Sequence, residues 1–460
     1  MDLATGWTGR AACALQAALR MSNESFAAHL GIAVRTVADW HKKPELRQKS
    51  EMQQLLDTAL EQASPAVKTR FATLVGESAE QPQPDAERDE AAADAERRLI
   101  TDPNIGAALD WLDQHAGWPP GTARREVASR LVRLDVRGLR DRANRRASVD
   151  QRRIAHALGE YYGARSGDHG RYRARYGSGA EVMTSLLTCA DWLDLGCPLV
   201  PAHDRLTPVS ATDDGSAALD VETAGRAAQR LAETLALGTR LVDMPLYRLA
   251  DIDVSKGAIG GSLGLARFAG YAVTMDLLEG ELVDAVSAGL SPRPGALPLR
   301  DRYLPDLASV LGVADRLCAG GPLALCAIAR PASPLRGGAD YLLLVQERSG
   351  HVVNAARRLA VIPKGFHQPL ADLSADARLG VTLLREMEEE LFGRDDIDNT
   401  VADQRRADPM HPSRLSQPMR WLLDGPDRMR IECTGFGLNL VSGNYEFARA
   451  VSSSGCTTSF

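Results

Sequence analysis

Apolar positions change their spacing twice along this chain. In "LRMSNESFAAHLGIAVRTVADWHKKPE", residues 19 to 45, they recur every three or four places: Phe26, Ala27 and Leu30 form one stripe, Ile32, Val37 and Trp40 another. This is the spacing of two short amphipathic helices. Ser22 stands where an N-cap accepts backbone N–H groups, and Gly31 where the first helix must stop in a left-handed residue. Leu15 and Leu19, on an earlier helix over roughly Thr8 to Arg20, complete a small core.

From about Leu99 to Gly312 the pattern is mainly helical. "DPNIGAALDWLDQHAG" sets a proline at a helix start and brings Ile105, Ala108, Leu109 and Leu112 to one side. "LARFAGYAVTMDLLEGELVDAV" predicts an amphipathic helix with Phe268, Tyr271, Met275, Leu278 and Leu282 on one face. "SKGAIGGSLG" lacks the order of a phosphate loop and has no strand leading into it, so a glycine-rich connection is expected. After "CAGG" the period shortens. "PLALCAIARP", "DYLLLVQERSG" and "RRLAVIPKGF" read as strands, and a helix follows from about Asp376 to Phe392, with Ser374 as cap and Gly393 as stop. "DRMRIECTGFGLNLVSGNYEFARAV" returns to strand character, which makes the C-terminal third an α+β sandwich.

A chain of 460 residues exceeds what one core usually supports, so two or three domains are expected. No apolar run approaches the length of a membrane span and "MDLATGWTGR" has no signal-peptide pattern, so no membrane partner and a cytoplasmic, nucleoid-associated location are expected. The seven cysteines include no CxxC pair, which argues for reduced thiols and against a disulfide framework or a zinc knuckle. The net charge of −6 is unevenly spread: fifteen arginines stand against six acidic residues between Gly121 and Gly177. That stretch is expected either to touch phosphates or to be a solvated surface. The segment before it, "GESAEQPQPDAERDEAAADAE", has little to bury and reads as a flexible linker. The expected organisation is a helical domain over 1–75, an acidic flexible linker over 76–98, a mainly helical middle region over 99–312 with the Arg-rich segment 121–177, and a C-terminal domain over 313–460.

The N-terminal register of Phe26-Ala27, Leu30-Gly31-Ile32, Thr36-Val37 and Trp40, followed by basic residues, resembles the lambda-repressor/Cro-like (XRE-type) helix-turn-helix family of transcriptional regulators. The resemblance implies an all-α bundle whose second motif helix enters the major groove of double-stranded DNA. Val34, Arg35, Thr36 and Asp39 would then face bases, with Asn23, His41, Lys42 and Lys43 near phosphates, and a homodimer would be needed for tight binding. Asn23 stands where glutamine is usual in that family, and Ala33 replaces a capping serine.

"LLREMEEELFGRDDID" holds the second candidate site. On a wheel at 100° per residue, Leu379, Leu383, Leu384, Met387 and Leu391 share a side roughly 140° wide, and Glu390 falls among them. A carboxylate there must be protonated, paired or bound to a cation. Glu386, Glu389 and Glu390, at i, i+3 and i+4, can converge on one point, and oxygen-only ligands suit Mg²⁺ or Mn²⁺. "REMEEELFG" resembles the core of the Nudix box, Gx5Ex7REUxEExGU, preceded by a familial turn, here Pro363-Lys364-Gly365. The resemblance implies a Nudix-like α/β/α sandwich in which Glu386, Glu389 and Glu390 carry the metal, Arg385 steadies them, and the ligand is a nucleotide diphosphate. Ala371 and Ala377 occupy the box's first Gly and Glu positions, and Gly393 comes one residue late. A half-present box fits binding better than cleavage. His367 and Gln368, beside the turn, are further candidates for the pocket. The expected function is a DNA-binding transcriptional regulator with a C-terminal nucleotide sensor. The alternatives are a Mg²⁺-dependent Nudix pyrophosphohydrolase tethered by its helix-turn-helix, and an adaptor that binds protein.

Overall fold

The computed structural model describes residues 7–44, 46–71, 85–101, 103–163, 165–209, 218–239, 241–347, 359–394, 410–425 and 427–453. They belong to two compact units, Met1–Glu90 and Ala91–Phe460. The chain is thus a multidomain protein of mixed helix and sheet.

In the first unit, α1 (Gly9–Leu19), α2 (Asn23–Leu30), α3 (Val34–Lys42) and α4 (Ser50–Gln62) surround a core of Trp7, Leu15, Phe26, Leu30, Val37, Trp40, Leu56 and Phe71. The expected punctuation is present. Ser22 Oγ accepts the Ser25 N–H at 3.2 Å, and Gly31 ends α2 with φ 68°. Arg20, with φ 58°, ends α1 in the same left-handed conformation.

The division between the units falls inside α5 (Asp85–Thr101), so residues 85–98 are helical rather than flexible linker. "DAERDEAAADAERRLIT" is built largely from strong helix formers, and Ala95 and Leu99 pack with Ile105, Leu109 and Leu112. Composition concealed these two anchors among charges. The predicted linker's remaining residues, 76–84, lie outside the described residues.

The second unit opens with α6 (Pro103–His115), α7 (Thr122–Arg133), α8 (Val136–Ala147) and α9 (Gln151–Tyr162). The mainly helical pattern expected as far as residue 312 fails after this point. Strands β1 (Arg165–Ser166), β2 (His169–Tyr176), β3 (Ala180–Thr188), β4 (Leu193–Pro198) and β5 (Asp204–Pro208) precede α10 (Val221–Ala236). Next come β6 (Pro245–Ser255) and β7 (Ala258–Arg267), then α11 (Phe268–Ala272), α12 (Leu277–Ser287), α13 (Pro298–Tyr303) and α14 (Leu307–Leu311). "SKGAIGGSLG" is the turn and second strand of the β6–β7 hairpin. Its Gly261 is needed there, because a Cβ would lie 2.4 Å from the Asp251 carbonyl oxygen. The single helix expected over 265–286 is a strand end and two helices. The anchors Tyr271, Met275, Leu278 and Leu282 are nonetheless all buried.

The last elements are β8 (Gly320–Arg330), β9 (Asp340–Leu343), β10 (Val345–Glu347), β11 (Leu359–Val361), α15 (Leu373–Asp376), α16 (Leu379–Glu390), α17 (Gln417–Leu423), β12 (Met429–Asn439) and β13 (Tyr445–Ser453). The principal sheet runs β1-β2-β3-β12-β13-β8-β9, with β4 also paired to β12. All its pairings are antiparallel except β13 with β8. Strands from the expected middle region therefore share a sheet with strands from the expected C-terminal domain, and no domain boundary lies at residue 313. The long β12–β13 hairpin has two edges to satisfy. β8 takes one, and β3 and β4 take the other. Arg300, fully buried, ties the helices to this hairpin by donating to the carbonyls of Leu440 at 2.6 Å and Leu278 at 3.3 Å and to Tyr162 Oη at 2.9 Å. No helix among the described residues is long and apolar enough to cross a membrane.

Candidate functional site

The first unit presents one face of α3 outward. Val37 and Trp40 point into the core, while Val34, Arg35, Asp39, His41, Lys42 and Lys43 are exposed and Thr36 is half-buried. Ala33 supplies no capping side chain, so the exposed start of α3 lacks that anchor. Packing holds the helix instead. Trp40 meets Phe26 edge-on at 6.3 Å and donates its Nε1–H to Gln48 Oε1 at 2.7 Å.

Two residues expected near phosphates also have internal work. Gln16, 6% exposed, donates Nε2–H to Asn23 Oδ1 at 2.8 Å, and its Oε1 lies 3.0 Å from His41 Nε2. As the Gln16 oxygen can only accept, His41 donates. One buried amide thus clamps the start of α2 to the end of α3 and sets the angle between them. Sequence reasoning passed over Gln16; a polar residue beside the Leu15–Leu19 stripe was its only signal.

In the second unit, the glutamate-rich helix α16 is covered on every side: no residue from Leu379 to Phe392 is exposed. Arg385 is 2% exposed, Glu386 9% and Glu388 1%. Arg385 Nη2 lies 3.2 Å from Glu386 Oε1, the pairing that the resemblance implied. Glu390 accepts the Lys364 N–H at 2.8 Å and Gln346 Nε2–H at 3.1 Å. The carboxylate that the wheel sets among the leucines is half-buried and accepts from protein donors. Glu389 is half-buried. The turn Pro363-Lys364-Gly365 closes over the helix, and a Cβ on Gly365 would lie 2.1 Å from the Glu386 carboxyl carbon, so any larger residue there would push that carboxylate aside.

Glu388 was the residue missed. The wheel sets it roughly 40° beyond the Leu384 edge of the leucine side, yet it accepts the Ser416 N–H at 2.9 Å and the Ser416 hydroxyl at 3.1 Å. Ser416 in turn caps α17 through the Met419 N–H. A segment distant in sequence covers the polar face, and helical periodicity carries no trace of it.

The helix entrance also differs from expectation. Asp372, not Ser374, caps α15, accepting the Ser374 and Ala375 N–H groups at 2.8 Å each. Asp376 accepts the N–H groups of Leu370, Ala371 and Asp372 at 2.7, 2.8 and 3.0 Å. The acidic residue beside the box position Ala377 thus holds three backbone N–H groups on its Oδ2. His367 belongs to the core, with its Nε2 3.2 Å from the Asp376 carbonyl oxygen and its Nδ1 3.0 Å from Tyr445 Oη. Gln368 is half-buried and only its carbonyl approaches the site, 3.5 Å from Arg385 Nη1.

Among the described residues no group of three His, Cys, Asp or Glu side chains is placed to hold a metal ion. With Glu386 turned to Arg385 and Glu390 turned to two N–H donors, the set does not fit Mg²⁺ or Mn²⁺ as arranged. Glu390→Ala is expected to cost the second unit about 1–3 kcal/mol by orphaning the Lys364 N–H. Urea denaturation followed by near-UV circular dichroism reads this directly, and an unchanged midpoint would remove Glu390 from the fold's supports. No protein-family model matches this chain, and no curated protein does.

Proposed function

We propose that this protein is a sequence-specific, DNA-binding transcriptional regulator whose second unit senses a nucleotide-type ligand. The observation that carries the reading is the outer face of α3. An exposed guanidinium, carboxylate and lysines stand on a short helix locked to its predecessor by the Gln16 clamp. A guanidinium so presented can make a bidentate pair with guanine in the major groove, while the lysines near it add affinity without sequence preference. Binding as a homodimer would let two copies of α3 read successive half-sites.

For the second unit, the reading rests on the meeting of Arg385, Glu386 and Glu390 with the Pro363-Lys364-Gly365 turn, the features in which the chain resembles a Nudix domain. Ala371 and Ala377, together with carboxylates already engaged by protein donors, favour binding over hydrolysis. A ligand held beside the half-buried Glu389 would regulate DNA affinity only by binding two arrangements of the protein unequally.

The test is selection of genomic fragments by the full chain, followed by motif finding. Arg35→Ala is expected to lose about 1–3 kcal/mol on the selected site, a loss of 5- to 150-fold, with little change on unrelated duplex. A full chain that prefers no sequence at low salt defeats the proposal. Thermal shift with ADP-ribose and nucleoside diphosphates, with and without Mg²⁺ or Mn²⁺, tests the sensor, and turnover of any of them would make the second unit an enzyme instead.

A further inference from the structure

The arginines of α8 are two populations of side chains, whereas the exposed Arg173 and Arg175 later in the Arg-rich segment pair with Glu181. On α8, Arg142 pairs with Glu233 at 2.5 Å, and Arg146 Nε donates to Asp284 Oδ1 at 2.6 Å. With the buried Leu139 they form the helix's inward side. Arg137, Arg140 and Arg145 are exposed, and among the described residues none has an ion-pair partner. At 100° per residue these three span an arc of roughly 140° centred opposite Leu139. Asp141 is the one acidic side chain on that arc, and Asp135 is turned to the helix start, where it accepts the Arg137 N–H at 3.0 Å. Arg133, the last residue of α7, is exposed and likewise without an ion-pair partner.

The contrast is the informative point. Where the arginines of α8 face the protein, a carboxylate meets them; on its outer arc three, with Arg133 just before the helix, stand against one aspartate, in a chain whose net charge is −6. Guanidinium groups offer paired N–H donors that match phosphate oxygens, and a helix face is read equally well along any sequence of backbone. From this geometry we infer that the outer face of α8 binds the phosphate backbone of duplex nucleic acid independently of sequence. It is a second contact surface, in addition to α3. The inference rests on the reading of the protein as a DNA-binding regulator but names a different part of the molecule.

The experiment compares the full chain with its Arg137→Gln/Arg140→Gln/Arg145→Gln variant on the selected duplex and on an unrelated one, from 50 to 300 mM salt. The three side chains are exposed, so the variant should keep its melting midpoint. Each lost phosphate contact removes about 0.9 from the slope of log affinity against log salt, so the variant's slope should fall by up to about 2.7. Affinity for both duplexes should drop by the same factor. An unchanged slope overturns the inference while leaving the α3 reading standing. A reduced slope in a protein that prefers no sequence supports the inference and defeats the sequence-specific reading. Retention on heparin that the variant loses, without duplex binding by the parent, assigns the face to another polyanion and overturns it too.

Discussion

Trp40→Ala is expected to unfold the first unit and abolish sequence-specific duplex binding, while the second unit melts as before. Trp40 is 3% exposed, packs on Phe26 and donates to Gln48. Truncating a buried tryptophan removes its transfer free energy and leaves a cavity, about 3–5 kcal/mol together. The Gln48 amide oxygen loses its donor besides. A unit of this size has little more stability than that to lose. Because the described residues form two compact units, the damage should stay within the first. Calorimetry should lose one transition and keep the other, and gel shifts should show no preference for the selected site over unrelated duplex. A variant that still binds duplex with parental affinity would mean that α3 and its core are not the DNA-reading element.

Acid is expected to weaken the second unit through His367. Burial pushes this imidazole down to about 3 from its usual 6.5. The fully buried ring has the Asp376 carbonyl, which only accepts, at Nε2, so the proton sits there and Nδ1 accepts from Tyr445. Burial also raises the Tyr445 hydroxyl far above its usual range, keeping it a donor. Since the folded value lies below the unfolded one, the unfolded chain binds more protons between the two. The contribution is complete above about pH 6.5 and is lost as pH falls toward 3. The slope approaches about 1.4 kcal/mol per pH unit, so on the order of a few kcal/mol should go by pH 4. Asp204 acts in the opposite sense, because burial raises its carboxyl, and folding then takes up protons just above the usual carboxylate range. The measurement is therefore the difference between the parent and His367→Gln in urea midpoints from pH 7 to pH 4.5. Parallel curves would show that His367 carries no such linkage.

Local signals were legible in proportion to how local their causes were. Ser22 and Gly31 act within one turn of chain, and both stand where the pattern set them. The strands after residue 320 were visible because their apolar residues crowd together. The β2–β3 hairpin was not: "RYRARY" alternates, but every second residue is an arginine and β2 has no buried residue, so no apolar face marks it as a strand. Its partner β12 is more than two hundred residues away, and no window of sequence contains that pairing. The boundary expected at residue 313 failed for the same reason: β3 and β4 belong with β12 only once the hairpin's free edge must be hydrogen-bonded.

The glutamate helix divides the two kinds of information. Sequence alone determined that residues near 379–390 form a helix, that Glu390 lies among leucines, and that such a carboxylate requires a partner; periodicity and the cost of burying charge suffice for that. Only the tertiary structure decided what the partner is. It is the Lys364 N–H and the Gln346 amide, brought by elements that the helix meets across the fold. Tertiary structure alone also buried Glu388, because Ser416 covers a face that periodicity assigns to water. A wheel reports which residues share a side, whereas the surroundings of that side are set by chain segments far away in sequence.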